Sequence, residues 1–417
     1  MKIKVLWISP NLLPIPCKRI GYKLNTSGGW VGSFISNFSN INNINFHILT
    51  INKNAKYKSF CIDNITYHSI PKSTGIFSYN KKLSVRLRQM VLDINPDIID
   101  FQGFEFSYSR DFHHIASGFK YVITIQGIIS EIYKYYLGDI KIFDVIRNIS
   151  LKDLLILDTF YYRKYKYYKR GNSEKIAINN CENFIGRTDW DKMIIKSYKN
   201  DINYLNFPRK IQSAFCGNIW KTEYLTNNSI FLSQGNLPYK GLHVVLKALS
   251  IVKKVIPNIK VIVAGKNLFK NKFRLPLLGG YQKYIEMLLN NYEIRDNVSF
   301  TGPKDSNEYS NTLSQSSLFI QSSFIDNSPN AVIEAQIVGV PIISTFSGGT
   351  SSLFPREFNL YYNPSDFRHL SSLIIEILTN PTLAEKISKL NYNHQLSVQK
   401  DSINTYDLIK FYKKIIN

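Results

Sequence analysis

Short apolar runs alternate with polar stretches of helical length along the whole chain. Such runs, bounded by turn residues, are typical of the buried strands of a parallel sheet, whose crossover connections are helices. The runs of the first half are 3–9, 45–50, 97–102, 121–126 and 183–188, and those of the second half are 229–234, 259–265, 298–302, 317–321 and 341–345. The pattern therefore predicts an α/β protein with two sheets.

Two series of strands imply two Rossmann-like domains facing a central cleft. The stretch 203–228 lacks clear periodicity, which places the linker there. We expect an N-terminal, acceptor-side domain over 1–215 and a C-terminal, nucleotide-sugar-binding domain over 216–400. A last helix, over about 401–417, is expected to return to the first domain.

The net charge of the chain narrows the possible classes of binding partner. Lys and Arg total 52 against 30 Asp and Glu, a formal net charge of +22. This excess favours an anionic partner, either a nucleic acid, an acidic membrane surface or a phosphorylated substrate. The four cysteines lack a metal-type spacing, which argues against a zinc site or a disulfide scaffold.

No apolar stretch approaches the roughly 18–20 residues that span a bilayer, and the first apolar run is too short for a signal peptide. We expect a cytoplasmic protein, either soluble or peripheral on the inner face of the membrane. Residues 131–170 are rich in Tyr and Lys, and Tyr161 to Arg170 read YYRKYKYYKR. They predict either an amphipathic helix covering the first domain or a surface that faces a membrane or acceptor.

The segment 322–345 carries the most chemical information. Ser328 followed by Pro329 predicts a helix start with Ser as N-cap. The backbone N–H groups of Asn330 and Ala331 would then be unsatisfied donors suited to an anion or a sugar hydroxyl.

Two carboxylates accompany this helix start. Glu334 lies four residues after Asn330, on the same helix face, and Asp326 lies in the loop ahead. The alternative is a capped amphipathic helix with an exposed glutamate.

Two glycine-containing loops also follow strands. In 229–249, Gly235 ends a strand and Lys240 stands at a helix start, where the helix dipole disfavours a cation unless an anion binds between them. A solvated lysine is the alternative. Gly28 and Gly29 follow the first strand and could bring backbone N–H groups to a phosphate.

Together these segments resemble the family 4 retaining glycosyltransferases, which have the GT-B fold. Asp326 and Glu334 are separated by seven residues, as in that family's two-carboxylate signature, and SPNAVIEAQIVGVPII continues its pattern. SQGNLPYKGLH resembles the donor-phosphate loop, and GRTDWDK (186–192) resembles a segment near the end of the first domain.

The resemblance implies a role for each donor-side residue. Glu334 would hold the ribose of a nucleotide-diphosphate sugar, and Lys240 would neutralise the diphosphate. Gly28 and Gly29 would contact the phosphate from the opposite domain. Asp326 and the Asn330–Ala331 backbone would hold the transferred sugar. Relatives need no metal for this step, and no cofactor is expected.

Three positions depart from the family pattern. Asp326 stands where Glu is usual, so the sugar pocket is expected to differ. Asn236 stands where an arginine often follows the glycine of the phosphate loop, so Lys240 would act with less help. Gln126–Gly127 replaces the His–Gly of many relatives, which is tolerable if the backbone carbonyl makes the contact.

The resulting hypothesis is a retaining glycosyltransferase that acts on a cell-envelope glycan or lipid-linked acceptor, as in lipopolysaccharide or capsule synthesis. Glu105, with Gln126 and Gly127, and Arg187 are candidates for the acceptor side. A surface Glu and a salt-bridged structural Arg are the alternatives. Rival functions are a sugar-nucleotide-binding protein of the same shape without turnover and, with less support, a nucleic-acid-binding protein. The latter would need a basic stripe interleaved with stacking aromatics, which we do not find outside 160–170.

Overall fold

The computed structural model describes residues 2–9, 44–52, 58–62, 64–71, 79–149, 153–154, 159–208, 211–269, 279–400 and 405–417. The chain divides into two compact units. The first comprises residues 1–131, 166–210 and 401–417, and the second comprises 132–165 and 211–400.

An eight-stranded sheet of described residues forms the centre of the first unit. Its strands are β1 (Ile3–Ser9), β2 (Ile44–Asn52), β3 (Lys58–Ile62), β4 (Ile65–Pro71), β5 (Ile98–Gln102), β6 (Lys120–Thr124), β7 (Asn183–Gly186) and β8 (Asn203–Asn206). Their spatial order is β3-β4-β2-β1-β5-β6-β7-β8. The β3–β4 pair at one edge is antiparallel, and the other pairs are parallel.

The second unit contains a six-stranded parallel sheet of described residues. Its strands are β9 (Ser229–Leu232), β10 (Lys260–Ala264), β11 (Val298–Gly302), β12 (Leu318–Gln321), β13 (Ile342–Thr345) and β14 (Tyr361–Tyr362). Their spatial order is β11-β10-β9-β12-β13-β14, so β12 lies between β9 and β13. The predicted α/β class with two sheets is confirmed.

Helices connect the strands in both units. They are α1 (Lys81–Ile94), α2 (Phe112–Ile115), α3 (Ile129–Ile132), α4 (Ile142–Arg147), α5 (Phe160–Asn179), α6 (Asp189–Tyr198), α7 (Leu242–Val255), α8 (Gly280–Asn291), α9 (Ser306–Ser314), α10 (Asn330–Val338), α11 (Phe367–Thr379), α12 (Pro381–Lys400) and α13 (Thr405–Ile416). Within the described residues, no helix is both long enough and apolar enough to cross a bilayer.

Each apolar run predicted as a strand overlaps an observed strand, and those predictions are confirmed. Four strands were not predicted: β3, β4, β8 and β14. β3 and β8 are edge strands, and β14 has two residues, so their sequences need no continuous apolar run. β8 also lies at the start of the predicted linker, 203–228.

Residues 132–165 belong to the second unit, whereas the sequence predicts them in the N-terminal domain. A buried histidine on α7 explains this placement. His243 Nε2 lies 2.6 Å from Asp139 Oδ1, and Lys247 Nζ lies 3.4 Å from the other oxygen of that carboxylate. Burial lowers the pKa of His243, although Asp139 opposes this effect. The division between the units falls inside α5, between Tyr165 and Lys166.

The C-terminal helix α13 packs with the first unit. Tyr412 is fully buried there; its hydroxyl donates to Asp100 Oδ2 at 2.6 Å and accepts a hydrogen bond from Trp7 Nε1 at 3.0 Å. Thr124 Oγ1 donates to the other oxygen of Asp100 at 2.7 Å. These bonds connect α13 to β1, β5 and β6.

Candidate functional site

Three loops meet at the carboxyl edge of the second sheet, because β9, β12 and β13 are adjacent and parallel. This edge is where open α/β sheets bind their ligands. The loops that follow these strands carry Lys240, Asp326 and Gly348 in turn. The strand order therefore brings together segments that are far apart in the sequence.

Lys240 and Asp326 form a close ion pair at this edge. Lys240 Nζ lies 2.7 Å from Asp326 Oδ2, and the two side chains are 11% and 20% exposed. The amide of Asn327 donates to the other carboxylate oxygen at 3.1 Å. The solvated lysine considered from the sequence is therefore wrong.

Glycine on each side permits this arrangement. Gly241 has φ +75°, and a Cβ there would lie 1.9 Å from the Ser322 carbonyl oxygen. Gly348 has φ +55°, and a Cβ there would lie 2.1 Å from the Asp326 carbonyl oxygen. Both positions exclude any side chain, because the conformation and the space are each unsuitable.

Hydrogen bonds fix the same loops to one another. Ser322 Oγ donates to the Lys240 carbonyl at 2.7 Å, and the Phe324 amide donates to the Tyr239 carbonyl at 2.8 Å. The Gly349 amide donates to the Asp326 carbonyl at 3.0 Å. The backbone around the ion pair is thus held from both neighbouring loops.

Helix α10 begins just after the Asp326 loop, at Asn330. Pro329 is its N-cap and no side chain caps it, so the prediction of Ser328 as N-cap and Pro329 as first helical residue was wrong by one position. In the first turn, the Val332 amide donates to the Pro329 carbonyl at 3.1 Å. A helix N-terminus carries a partial positive charge, and the binding of an anion by the Asn330 and Ala331 amides stays a prediction.

Glu334 lies one turn after Asn330 on α10, and both residues are half-buried. The pKa of the nearby Tyr309 phenol is raised, first by its burial and then by the Glu334 charge. Glu334 is therefore not the exposed glutamate of the alternative interpretation. Asn236 is also half-buried, in the loop between Gly235 and Lys240.

The candidate acceptor-side residues form a separate cluster in the first unit. Arg187 Nη2 donates to Gln126 Oε1 at 2.9 Å, and the Gly127 amide donates to Glu105 Oε1 at 3.1 Å. Arg170 Nε donates to the Glu105 carbonyl at 2.6 Å. The four predicted residues are thus brought together, and Arg170 is added to them.

Burial determines the electrostatics of this cluster. It raises the pKa of Glu105, while the charges of Arg170 and Arg187 oppose the rise. It also lowers the pKa of Arg187 to about 10, against the effect of Asp191 and Glu105. Glu105 is not a solvated surface residue, and Arg187 donates to an amide oxygen as well as lying near carboxylates.

Glu174 was missed by the sequence analysis. Its carboxylate accepts hydrogen bonds from the amides of Ile129 at 2.7 Å and Ser130 at 3.0 Å. Burial raises the pKa of Glu174 to about 8, although these bonds oppose the rise. Gly171 on the same helix allows α5 to approach Ser130, since a Cβ would lie 2.9 Å from the Ser130 Cα. The helical spacing of small and apolar residues through 171–178 could have indicated this buried face.

The remaining expectations from the sequence concern a glycine pair and a metal ion. Gly28 and Gly29 lie outside the described residues. Among those that are described, no cluster of three or more His, Cys, Asp or Glu side chains could hold a metal ion.

Comparison with known proteins supports the resemblance of the second unit to glycosyltransferases. Residues 218–394 match the family model described as Glycosyl transferases group 1. The match includes Lys240, Asp326 and Glu334. The expected resemblance to glycosyltransferases is confirmed at this level, whereas family 4 and the retained configuration stay predictions.

Two curated relatives match part of the chain. Protein CapJ of Staphylococcus aureus is 28% identical over 43% of this chain and 43% of its own length. A GDP-mannose-dependent monoacylated alpha-(1-6)-phosphatidylinositol monomannoside mannosyltransferase of Corynebacterium glutamicum is 26% identical over 35% of this chain and 36% of its own. The matches thus span less than half of each relative.

Solved structures match over nearly the whole chain and show the fold. Sucrose-phosphate synthase from Thermosynechococcus elongatus has a TM-score of 0.69 at 14% identity and covers 99% of both chains. HepE from Anabaena, in complex with UDP and glucose, has a TM-score of 0.63 at 13% identity and covers 99% of this chain and 98% of its own. The expected GT-B fold is confirmed.

Proposed function

We propose that the protein is a glycosyltransferase that moves a sugar from a nucleotide-diphosphate sugar to a hydroxyl group, with retention of the anomeric configuration. The observation that carries this proposal is the Lys240–Asp326 pair, which lies within the residues that match the glycosyl transferase family model. A cation and a helix start suit a diphosphate, and the carboxylate between them suits the hydroxyls of a sugar.

The donor diphosphate is assigned to Lys240 and the start of α10. An ammonium group and helix N-terminal amides both stabilise negative charge, and that charge grows on the diphosphate as it departs. Groups already in place for developing charge are the main means by which such sites lower a barrier. In this proposal they act without a metal ion.

The sugar and the ribose are assigned to the two carboxylates. Asp326 would accept hydrogen bonds from hydroxyls of the transferred sugar, and Glu334 from those of the ribose. No side chain is assigned as a covalent nucleophile, and the acceptor hydroxyl attacks from the face that the diphosphate leaves. Its oxygen forms the new glycosidic bond as the bond from the sugar to the diphosphate breaks, and its proton passes to the departing diphosphate oxygen. Asp326 also orients Lys240, through the 2.7 Å contact between them.

The acceptor is assigned to the cluster of Glu105, Gln126, Gly127 and Arg187. Its combination of a buried carboxylate and a guanidinium suits a polyhydroxylated or phosphorylated molecule. Glu105 Oε2 is enclosed and has no hydrogen-bond partner among the described residues. An acceptor hydroxyl would supply that missing donor.

A lipid-linked acceptor is the class we favour. The mannosyltransferase of Corynebacterium glutamicum is named for a phosphatidylinositol mannoside, and the net charge of +22 suits an anionic membrane face on the cytoplasmic side. On the basic helix α5, Lys169 is exposed and Arg163, Lys164 and Lys166 are half-buried; these cations would meet such a surface. Arg170, which the sequence analysis had included, is buried against Glu105 and would not.

A screen of nucleotide sugars tests the proposal. The wild-type protein should release a nucleoside diphosphate from at least one of them, slowly with water and faster with acceptor. Glu334→Gln should lose most of this release while keeping its melting temperature. Donor binding without release would favour the sugar-nucleotide-binding protein. A salt-dependent gel shift with random nucleic acid, without release from any donor, would favour the nucleic-acid-binding protein.

A further inference from the structure

Helix α4 turns an apolar face outward. Ile142, Phe143 and Ile146 are 64%, 69% and 60% exposed, and their positions share one side of the helix. Single exposed apolar residues are ordinary, but a cluster of large ones on one turn is typical of an interaction surface. The face is therefore a candidate docking element.

The orientation of α4 is fixed from its other side. Val145 is buried in the core of the second unit. The carbonyl of Asn148, just after the helix, packs on Gly280, where a Cβ would lie 3.2 Å from its oxygen. Asp144 lies near enough to Tyr284 to raise the pKa of that phenol further, beyond the effect of burial. The helix cannot turn its apolar face inward without losing these contacts.

Cations flank the apolar face. Lys141 precedes the helix and Arg147 ends it, and both are exposed without an ion-pair partner among the described residues. The one acid of the helix, Asp144, lies on the side toward Tyr284. The outer face is thus apolar at its centre and positive at its ends.

The start of α5 extends the same kind of surface. Phe160 and Asn148 both pack on Gly280, so α5 begins beside the end of α4. Tyr161 and Tyr165 are exposed there. Tyrosine rings are well suited to the headgroup layer of a bilayer, where one end is apolar and the other wet.

We propose that the outer face of α4, formed by Lys141, Ile142, Phe143, Ile146 and Arg147, inserts into the surface of an anionic lipid bilayer. The apolar side chains would enter the boundary between headgroups and acyl chains, and the two cations would meet lipid phosphates. A second copy of the chain fits less well, because two such faces would bring like charges together. The biological purpose of bilayer binding rests on the lipid-linked acceptor proposed above. Binding to the bilayer itself does not need a nucleotide-sugar donor.

Vesicle binding tests this inference. The protein is sedimented with vesicles of phosphatidylcholine alone, or of equal parts phosphatidylcholine and phosphatidylglycerol, at about 0.1 M and about 1 M salt. Wild type should bind the anionic vesicles, and more strongly at low salt. The triple variant Ile142→Ser, Phe143→Ser, Ile146→Ser should lose about tenfold or more of this binding, since it removes most of the inserted apolar surface.

Two further variants separate the contributions. Lys141→Ser with Arg147→Ser should reduce binding severalfold at low salt and have little effect at high salt. Val85→Ser with Leu92→Ser is the matched control, because these residues are also exposed apolar side chains of a helix but lie on α1. The control should bind vesicles as wild type does.

Equal vesicle binding by the triple variant and wild type would overturn the inference. It would also be overturned if wild type were a dimer in solution that the triple variant abolished, since the face would then bind a second copy. Circular dichroism should show each variant folded, and release of nucleoside diphosphate from a soluble donor should be unchanged. Vesicle binding without donor turnover would instead contradict the proposed function alone.

Discussion

Lys240 and Asp326 should affect the binding of a nucleoside diphosphate in opposite directions. Lys240→Met removes the cation that meets the diphosphate. A hydrogen bond to a charged group is worth about 1.5–3 kcal/mol, so this variant should bind UDP or GDP roughly 10–100-fold more weakly. Asp326→Asn removes a carboxylate that competes with the diphosphate for the same ammonium.

The size of the second effect follows from the exposure of the pair. Side chains that are 11% and 20% exposed place the pair between a surface ion pair, worth at most about 1 kcal/mol, and a buried one, whose disruption costs about 3–5 kcal/mol. Recovering about 1 kcal/mol of this attraction would tighten diphosphate binding about fivefold. Sugar transfer should nevertheless fall, because Asp326 also holds the sugar.

Isothermal titration with UDP and GDP measures both effects. The double variant should bind as weakly as Lys240→Met, since no ammonium is left to be released. Lys247→Met is the matched control, because Lys247 pairs with Asp139 at 3.4 Å and similar exposure yet has no assigned role in donor binding. If Asp326→Asn weakened diphosphate binding as much as Lys240→Met, the pair would be a structural unit and the assignment of Lys240 would fail.

Three other outcomes are expected. Glu334→Gln should weaken nucleotide-sugar binding by about 1.5–3 kcal/mol in titration calorimetry, with little change in melting temperature; normal binding with early melting would make Glu334 structural. Turnover should survive EDTA; its loss, with recovery on adding magnesium or manganese, would contradict the metal-independent reaction. Burial raises the pKa of Asp100 to about 7, so the native state keeps a proton that the unfolded state loses near pH 4. Stability should therefore fall as pH rises from about 4 to 7, and Asp100→Asn should flatten this fall in urea unfolding; an unchanged slope would show that Asp100 does not titrate there.

The sequence predicted most of the strands that are buried on both faces, because such strands are usually continuous apolar runs. The interior strand β4 was not predicted, because Thr, His and Ser interrupt its ITYHSIP sequence. The sequence also did not predict β8, whose NYLN sequence lies at a sheet edge, or the placement of residues 132–165. That placement depends on contacts such as Asp139 with His243, which are 104 residues apart. Asp139 belongs to no motif, and the segment that ends at His243 carries no signal for this partner. Only the tertiary structure could therefore reveal the pair.

The candidate site could likewise be predicted only in part from the sequence. Lys240, Asp326 and Glu334 could be selected from local patterns of loops, helix starts and carboxylate spacing. The direct contact between Lys240 and Asp326 could not, because it depends on β9 and β12 being neighbours. The spacing of residues 171–178 could have indicated the buried face that carries Glu174, but its partners, the amides of Ile129 and Ser130, carry no signal in the sequence.

The most direct test of the central claim is proton NMR of a nucleotide sugar incubated with the protein and an acceptor. We expect the donor signals to decrease in the presence of EDTA, while a nucleoside diphosphate and a glycoside with the donor's anomeric configuration accumulate. Lys240→Met should slow this conversion strongly. A donor that binds but remains unchanged, or a product of inverted configuration, would contradict the proposed retaining glycosyltransferase.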